Sequence, residues 1–276
     1  MTRLAARLLA DGRRLHLNDG PIDLVIEAWG PPDAVRAAYR AAAARAGTIL
    51  DELCAELKLL RAPATPDSPR AHGPTARRMQ AAVAPHAGTF ITPMAAVAGA
   101  VAEEVLAAML DATTLARAYV NNGGDIALHL AAGERLALGL VDRPDRPSLF
   151  ARAILEAAEP VRGIATSGWR GRSHSLGIAD AVTVLADTAS AADAAATMIA
   201  NAVDLPGHTA ITRLACRGID PDSDLGDRLV TRNVGALAGD EIEAALANGA
   251  TTARGFVAAG LVRAAALHLR GVTLVA

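Results

Sequence analysis

Aromatic residues are scarce: phenylalanine, tryptophan and tyrosine make up 3 % of the 276 residues, although 52 % of the chain is apolar. A core with so few rings must be tiled with alanine, valine and leucine, and small side chains let backbones approach closely. Cysteine is nearly missing too. Cys54 and Cys216 stand in neither a C-x-x-C pair nor a Cys/His cluster, so spacing indicates no zinc site and no disulfide framework. The expectation is two buried free thiols in a reducing compartment. No excess of positive charge exists: the formal net charge is -2, which leaves no electrostatic footprint for nucleic acid. No apolar run reaches about 18 residues without a charge, so no membrane span is expected. The apolar stretch Leu4–Ala10 is broken by Arg7 and followed by Asp11. It does not read as a signal peptide, and the cytoplasm is the expected location. A Walker P-loop, a G-x-G-x-x-G fingerprint and an H-E-x-x-H pair are all absent from the sequence.

The length suits one domain over residues 1–276, or two intimately packed lobes with a real core. Ile22, Leu24 and Ile26 alternate with Asp23 and Glu27, a half-buried strand pattern that Pro31 and Pro32 stop. Asp33 reads as a helix N-cap. Val35, Tyr39, Ala42, Ala46, Ile49, Leu53, Leu57 and Leu60 then recur at spacings of three and four, the pattern of one amphipathic packing helix. Residues 62–74 carry four prolines and read as a loop. A short helix is expected over Thr75–Ala84, and another from Thr92, with Pro93 at its first position, to about Leu110. Strands are expected at 118–120, 126–130, 136–141, 181–186 and 272–275. Helices are expected at 191–203, 240–248 and 254–266, while 148–157 fits strand or helix. Helices and strands mix without regular βαβ alternation, which points to α+β.

Three segments carry chemistry. Asn121-Asn122-Gly123-Gly124-Asp125 joins two strands. Its glycines allow positive φ and uncover backbone N–H groups that can cradle a phosphate, but the same residues also suit a plain hairpin turn. Gly163-Ile164-Ala165-Thr166-Ser167-Gly168, followed by a polar loop to Ser173-His174-Ser175, gathers hydroxyls, glycine and a histidine that suit phosphoryl oxygens. A polar loop without function has the same composition. Asp193 and Thr197 are i and i+4 on a helix otherwise made of alanine on that face. A carboxylate and a hydroxyl one turn apart form a sparse oxygen site for Mg²⁺; a lone carboxylate near a helix start also serves the helix dipole.

Together these segments resemble the ApbE-like superfamily, whose best-known members are FAD:protein FMN transferases. Asn121–Ile126 is similar to that family's N-x-G-G-D-I turn, Ile164–Gly168 to its I-A-T-S-G segment, and Ala192–Thr197 to its A-D-A-x-A-T helix. Pro93–Leu106 occupies the place of its A-x-A-K-G-x-x-x-D helix. The order and spacing agree from about residue 92 to residue 203. Ala98 replaces the family lysine and Glu103 its aspartate, while His174-Ser175-Leu176-Gly177 stands where the family has D-P-x-T-G. The whole pattern is closest to a cytoplasmic, uncharacterised branch of the superfamily. The resemblance implies a duplicated T-fold-type α+β architecture. It also implies Mg²⁺ held by Asp193, the Thr197 hydroxyl and a backbone carbonyl near Ala95. FAD or a related flavin nucleotide would lie along Asn122, Gly123, Gly124, Asp125, Thr166, Ser167, Gly168 and Ser175, with His174 orienting it or acting as an acid–base group. A small-molecule nucleotide ligand is therefore expected, with neither nucleic acid nor membrane as partner; a homo-oligomer is left open.

Overall fold

The structure, a computed structural model, describes residues 3–141, 149–171 and 173–276. Ser148, where the segment read as strand or helix begins, and Arg172, in the polar loop before Ser173, lie outside the described residues. The fold is α+β, with a large antiparallel sheet and six α-helices among the described residues. The chain divides into two compact units.

The first unit comprises residues 1–137, 154–165 and 186–193. Its strands β1 (Ala5–Leu8), β2 (Leu15–Asp19), β3 (Ile22–Trp29), β4 (Arg117–Asn122) and β5 (Asp125–Leu130) pair antiparallel in chain order. Alternation decides the buried face: Leu15 and Leu17 of β2 face inward with Ile22, Leu24 and Ile26 of β3. Helices α1 (Pro32–Ala55) and α4 (Val97–Ala112) pack on each other, and α4 also lies against β4 and β5. Between them in the chain come the short α2 (Leu57–Leu60) and α3 (Pro74–Val83). Strands β6 (Arg135–Val141) and β7 (Leu149–Glu156), each of which begins in one unit and ends in the other, form their own pair. The chain then enters β8 (Gly163–Ser167), which joins β5 through Ile126 opposite Ile164 and Ala127 opposite Gly163.

The second unit comprises residues 138–153, 166–185 and 194–276. Strand β9 (Ala181–Ala186) precedes α5 (Ala189–Ala202), a helix that starts in the first unit and continues into the second. Next come the paired strands β10 (Ile211–Ala215) and β11 (Leu229–Val234), helix α6 (Gly239–Ala258), and strands β12 (Ala264–Leu269) and β13 (Val272–Val275). β12 pairs antiparallel with both β9 and β13, and α6 packs on β12.

Several sequence expectations are corrected. Pro31, not Asp33, is the N-cap of α1; Pro32 takes the first helical position and Asp33 falls in the first turn. The helix ends at Ala55 rather than at Leu60, because Glu56 leaves helical geometry (φ -111°) and its carboxylate is drawn to the backbone of His72 and Gly73. Residues Pro93–Ala96 form a 3₁₀ turn before α4 begins at Val97. The two helices expected at 240–248 and 254–266 are one helix, α6, and residues 264–266 belong to β12. Cys54 is exposed, and only Cys216 is buried. The segment Pro93–Ala112 is long and apolar enough by composition to cross a membrane, with a mean hydropathy of 1.5, yet half of that window is buried inside the protein.

Candidate functional site

Position 98–99, at the start of α4, is where three sequence segments of the first unit meet. The β4–β5 hairpin turns on two glycines with positive φ, 68° at Gly123 and 118° at Gly124, a geometry that side-chain-bearing residues rarely adopt. Asn121 Oδ1 accepts the Gly124 N–H at 2.8 Å, which locks the turn. Asn122, buried at the end of β4, donates its Nδ2 to the Ala98 carbonyl at 3.2 Å. One residue on, the Gly99 N–H donates to Asp193 Oδ2 at 3.0 Å. The Asp193 carboxylate thus sits at the amino end of α4, where free backbone N–H groups attract negative charge. Ala95 lies in the turn just before, its own N–H donating to the Thr92 carbonyl at 3.0 Å.

Glycine at position 99 is what permits this approach. A β-carbon there would lie 2.3 Å from the Ala189 carbonyl oxygen and 2.7 Å from the Ser190 nitrogen. Gly163 does the same on β8, where a β-carbon would lie 2.1 Å from the Thr188 carbonyl. The first turn of α5 is also gripped by Glu103, whose Oε1 accepts the Ser190 N–H at 2.6 Å. Glu103 and its neighbour Glu104 are held from the far side by Arg78, at 3.3 and 2.9 Å, and Glu104 by Arg45 at 3.1 Å.

Burial pushes the Asp193 carboxyl well above the usual carboxylate range, the nearby Asp125 charge pushes it further, and Glu103 adds in the same direction. Hydrogen bonds from the Gly99 and Ala98 backbone act the other way. The net result is a carboxylate site that favours a proton or a cation. Among the described residues no group of three or more His, Cys, Asp or Glu forms a metal cage. Asp193 Oδ2 at the Gly99 N–H is an oxygen donor, the ligand type that Mg²⁺ takes in small number while keeping several waters.

The remaining sequence-derived residues lie in the second unit. Thr166, at the end of β8, shares a hydrogen bond of 2.9 Å with Thr183 Oγ1. Ser167 follows it. Gly168 has the Asp180 carbonyl 2.5 Å from where its β-carbon would stand, so the chain passes tightly there. Ser175 is buried: its hydroxyl donates to Asn201 Oδ1 at 3.3 Å and accepts the Gly177 N–H at 3.2 Å. That hydroxyl is committed to closing its own loop. His174 is half-buried. Asp180, absent from the sequence reading, is buried and anchors the stretch after β8, accepting from Trp169 Nε1 at 3.2 Å, Arg170 Nε at 2.7 Å and the Arg270 N–H at 2.7 Å. Asp125 was read as a ligand contact from its turn, and its charge on Asp193 was not visible in the sequence. Glu103 was legible only as a replacement for an aspartate. A helix start that presents backbone to a foreign carboxylate carries no side-chain signature at all.

The described residues form an α+β fold with a large antiparallel sheet, in which the Asp193 carboxylate meets the glycine-bearing start of α4. The chain belongs to the family described as AbpE bacteria, whose pattern matches residues 6–275. It is similar to a UPF0280 protein of Methanosphaerula palustris, 39 % identical over 168 residues that cover 57 % of this chain and 63 % of that protein. A UPF0280 protein of Methanopyrus kandleri is 47 % identical over 112 residues, 40 % of this chain and 43 % of its own length. One from Archaeoglobus fulgidus is 36 % identical over 155 residues, 54 % and 61 % respectively. The chain therefore spans about half of the length of the relatives it matches.

Proposed function

We propose that this protein binds a phosphate-bearing nucleotide, a flavin such as FAD in the first instance, through a Mg²⁺ ion held by Asp193. The observation that carries this reading is the Asp193 carboxylate brought against the Gly99 N–H with Asp125 and Glu103 close by. Like charges gathered in partial burial are unfavourable unless a cation or a proton offsets them. Thr197 and the carbonyl near Ala95 supply neutral oxygens of the kind Mg²⁺ accepts. When bound, the metal would neutralise a pyrophosphate and stabilise charge in phosphoanhydride cleavage or transfer. On the first unit the Gly123 backbone N–H serves phosphate, the Gly124 N–H being taken by Asn121; the Thr166 and Ser167 hydroxyls and Gly168, on the second unit, are the groups that the family resemblance assigns to phosphate or flavin. His174 orients the ligand or moves a proton. The family membership and the antiparallel sheet pairing within each unit support a duplicated T-fold-type architecture as the scaffold.

A second reading, a non-catalytic flavin or nucleotide binder, is favoured by one observation: the Ser175 hydroxyl in the segment that replaces D-P-x-T-G is occupied by Asn201 and Gly177. Calorimetric titration with FAD, with and without Mg²⁺, tests binding, and release of AMP from FAD separates enzyme from binder. Equal FAD affinity in both conditions would remove the metal from the proposal; no FAD binding at all would remove the flavin.

A further inference from the structure

The Pro-rich segment read as a loop is one wall of a cavity of about 810 Å³ that includes none of the site residues discussed above. The segment is tied down at both ends. The Ala64 N–H donates to the Ile91 carbonyl at 2.8 Å, and Ser68 Oγ accepts the Thr65 N–H at 2.9 Å. Gln80 of α3 clamps the other end, its Oε1 accepting from the Ala71 N–H at 2.8 Å and its Nε2 donating to the Pro69 carbonyl at 2.7 Å. Glu56 adds two bonds of 2.7 Å to the His72 and Gly73 N–H groups. A loop so pinned forms its wall before any ligand arrives, which lowers the ordering cost of binding.

The lining has two characters. Leu59, Val83, Ala84 and Pro93 make an apolar body, whereas every ionisable group on it is an arginine: Arg70, Arg77 and Arg78. Arg78 is already neutralised by Glu103 and Glu104. Arg70 and Arg77 form no ion pair among the described residues; Glu56 feels the charge of Arg77 but has both oxygens engaged by backbone N–H groups. Two cations that form no ion pair among the described residues stand at an apolar cavity in a chain of net charge -2. The volume is that of a site for a small organic molecule.

We propose that this cavity is a second ligand site, for a small organic anion whose phosphate or carboxylate is held by Arg70 and Arg77 and whose apolar or aromatic body lies on Leu59, Val83 and Pro93. Guanidinium forks pair with either head group in bidentate fashion. The proposal is independent of the nucleotide reading.

Phenyl phosphate, benzoate and inorganic phosphate can be titrated into the full chain, with the melting temperature and calorimetric heat as readouts. Saturable binding of phenyl phosphate or benzoate is expected, and the tighter of the two identifies the head group. Inorganic phosphate should bind more weakly than phenyl phosphate, since it leaves the apolar wall unused. The double variant R70Q/R77Q should weaken binding by about tenfold or more, the loss of charge-assisted bonds. Both side chains are exposed and unpaired, so this variant should fold like the wild type by circular dichroism. Asp193→Asn should leave binding of these probes unchanged. The proposal is overturned if neither organic anion binds, if R70Q/R77Q binds as well as wild type, or if Asp193→Asn abolishes the binding.

Discussion

Gly99 has no room for even one more carbon, because the Ala189 carbonyl and the Ser190 nitrogen already fill the position. Gly99→Ala should therefore destabilise the protein by about 1–3 kcal/mol through forced backbone shifts, and Gly99→Leu by more. Urea denaturation followed by circular dichroism measures this, and an unchanged midpoint would mean that α4 and α5 have slack. The need for small residues was visible in Ala98, Gly99 and Ala102 of α4 and in Ala95 of the turn before it, but what they approach was not. His86 gives a pH-dependent case. Only 6 % of it is exposed, and burial holds its imidazole below the ordinary value of 6.5. The unfolded chain then binds more protons as the pH drops, so the His86 contribution is present above pH 6.5 and is lost as the pH falls through the depressed folded value. Melting temperatures between about pH 7.5 and 5 should show this loss. His86→Gln should flatten the slope whatever it does to the absolute stability; a slope unchanged in the variant would assign the acid sensitivity elsewhere.

At the scale of elements, alternating and helical periodicities made β3 and much of α1 readable, because one face of each is buried and the other is largely not, whereas β9 is a short apolar run buried on both faces. The misreadings share a cause in alanine and glycine. Gly249-Ala250-Thr251-Thr252 looks like a break between two helices, yet α6 runs straight through it. Gly249 is there for packing: a β-carbon would lie 2.3 Å from Val203 Cγ2 and 2.8 Å from Leu267 Cδ2. Ala264–Leu269 looks helical by propensity but is a strand because β9 and β13 pair with it on both sides. β8 reads as a polar loop because its last residues are Thr166 and Ser167, and the need for Gly163 beside Thr188 lies in tertiary packing. A further element boundary is set from a distance. α3 lacks a side-chain N-cap of its own, and Glu56 supplies the acceptor for the two N–H groups at its entry. Glu56→Ala should cost about 1 kcal/mol, comparable to loss of an ordinary N-cap. Hydrogen exchange should also quicken at the His72 and Gly73 amides. Protection there equal to wild type would show that Gln80 alone holds the segment.

For the whole molecule, the order of four weak motifs along the chain pointed to a family that the match over residues 6–275 bears out in its coarse form. Motif order is a one-dimensional property and survives in sequence; the ion that a site holds is a three-dimensional one and does not. Asp193 has two possible duties that helix geometry alone leaves indistinguishable: it closes the amino end of α4, and it can carry a cation beside Asp125 and Glu103. Two substitutions separate them. Asp193→Asn keeps an oxygen acceptor for the Gly99 N–H and removes the charge, whereas Asp193→Ala removes both. In metal-free buffer at neutral pH, Asn should be as stable as wild type or more so, since it relieves repulsion from neighbouring carboxylates. Ala should be less stable by about 1 kcal/mol, the value of a lost cap. Adding Mg²⁺ should raise the wild-type melting temperature, because binding to the folded state stabilises it by about 2.7 kcal/mol at a hundredfold excess over the dissociation constant. Neither variant should respond to the same extent, while Thr197→Val should retain part of the response because it removes a neutral ligand only. If Asp193→Asn gains as much from Mg²⁺ as wild type, the cation does not sit on this carboxylate. Asp193 is then the cap of α4, and the charge it shares with Asp125 is settled by a proton.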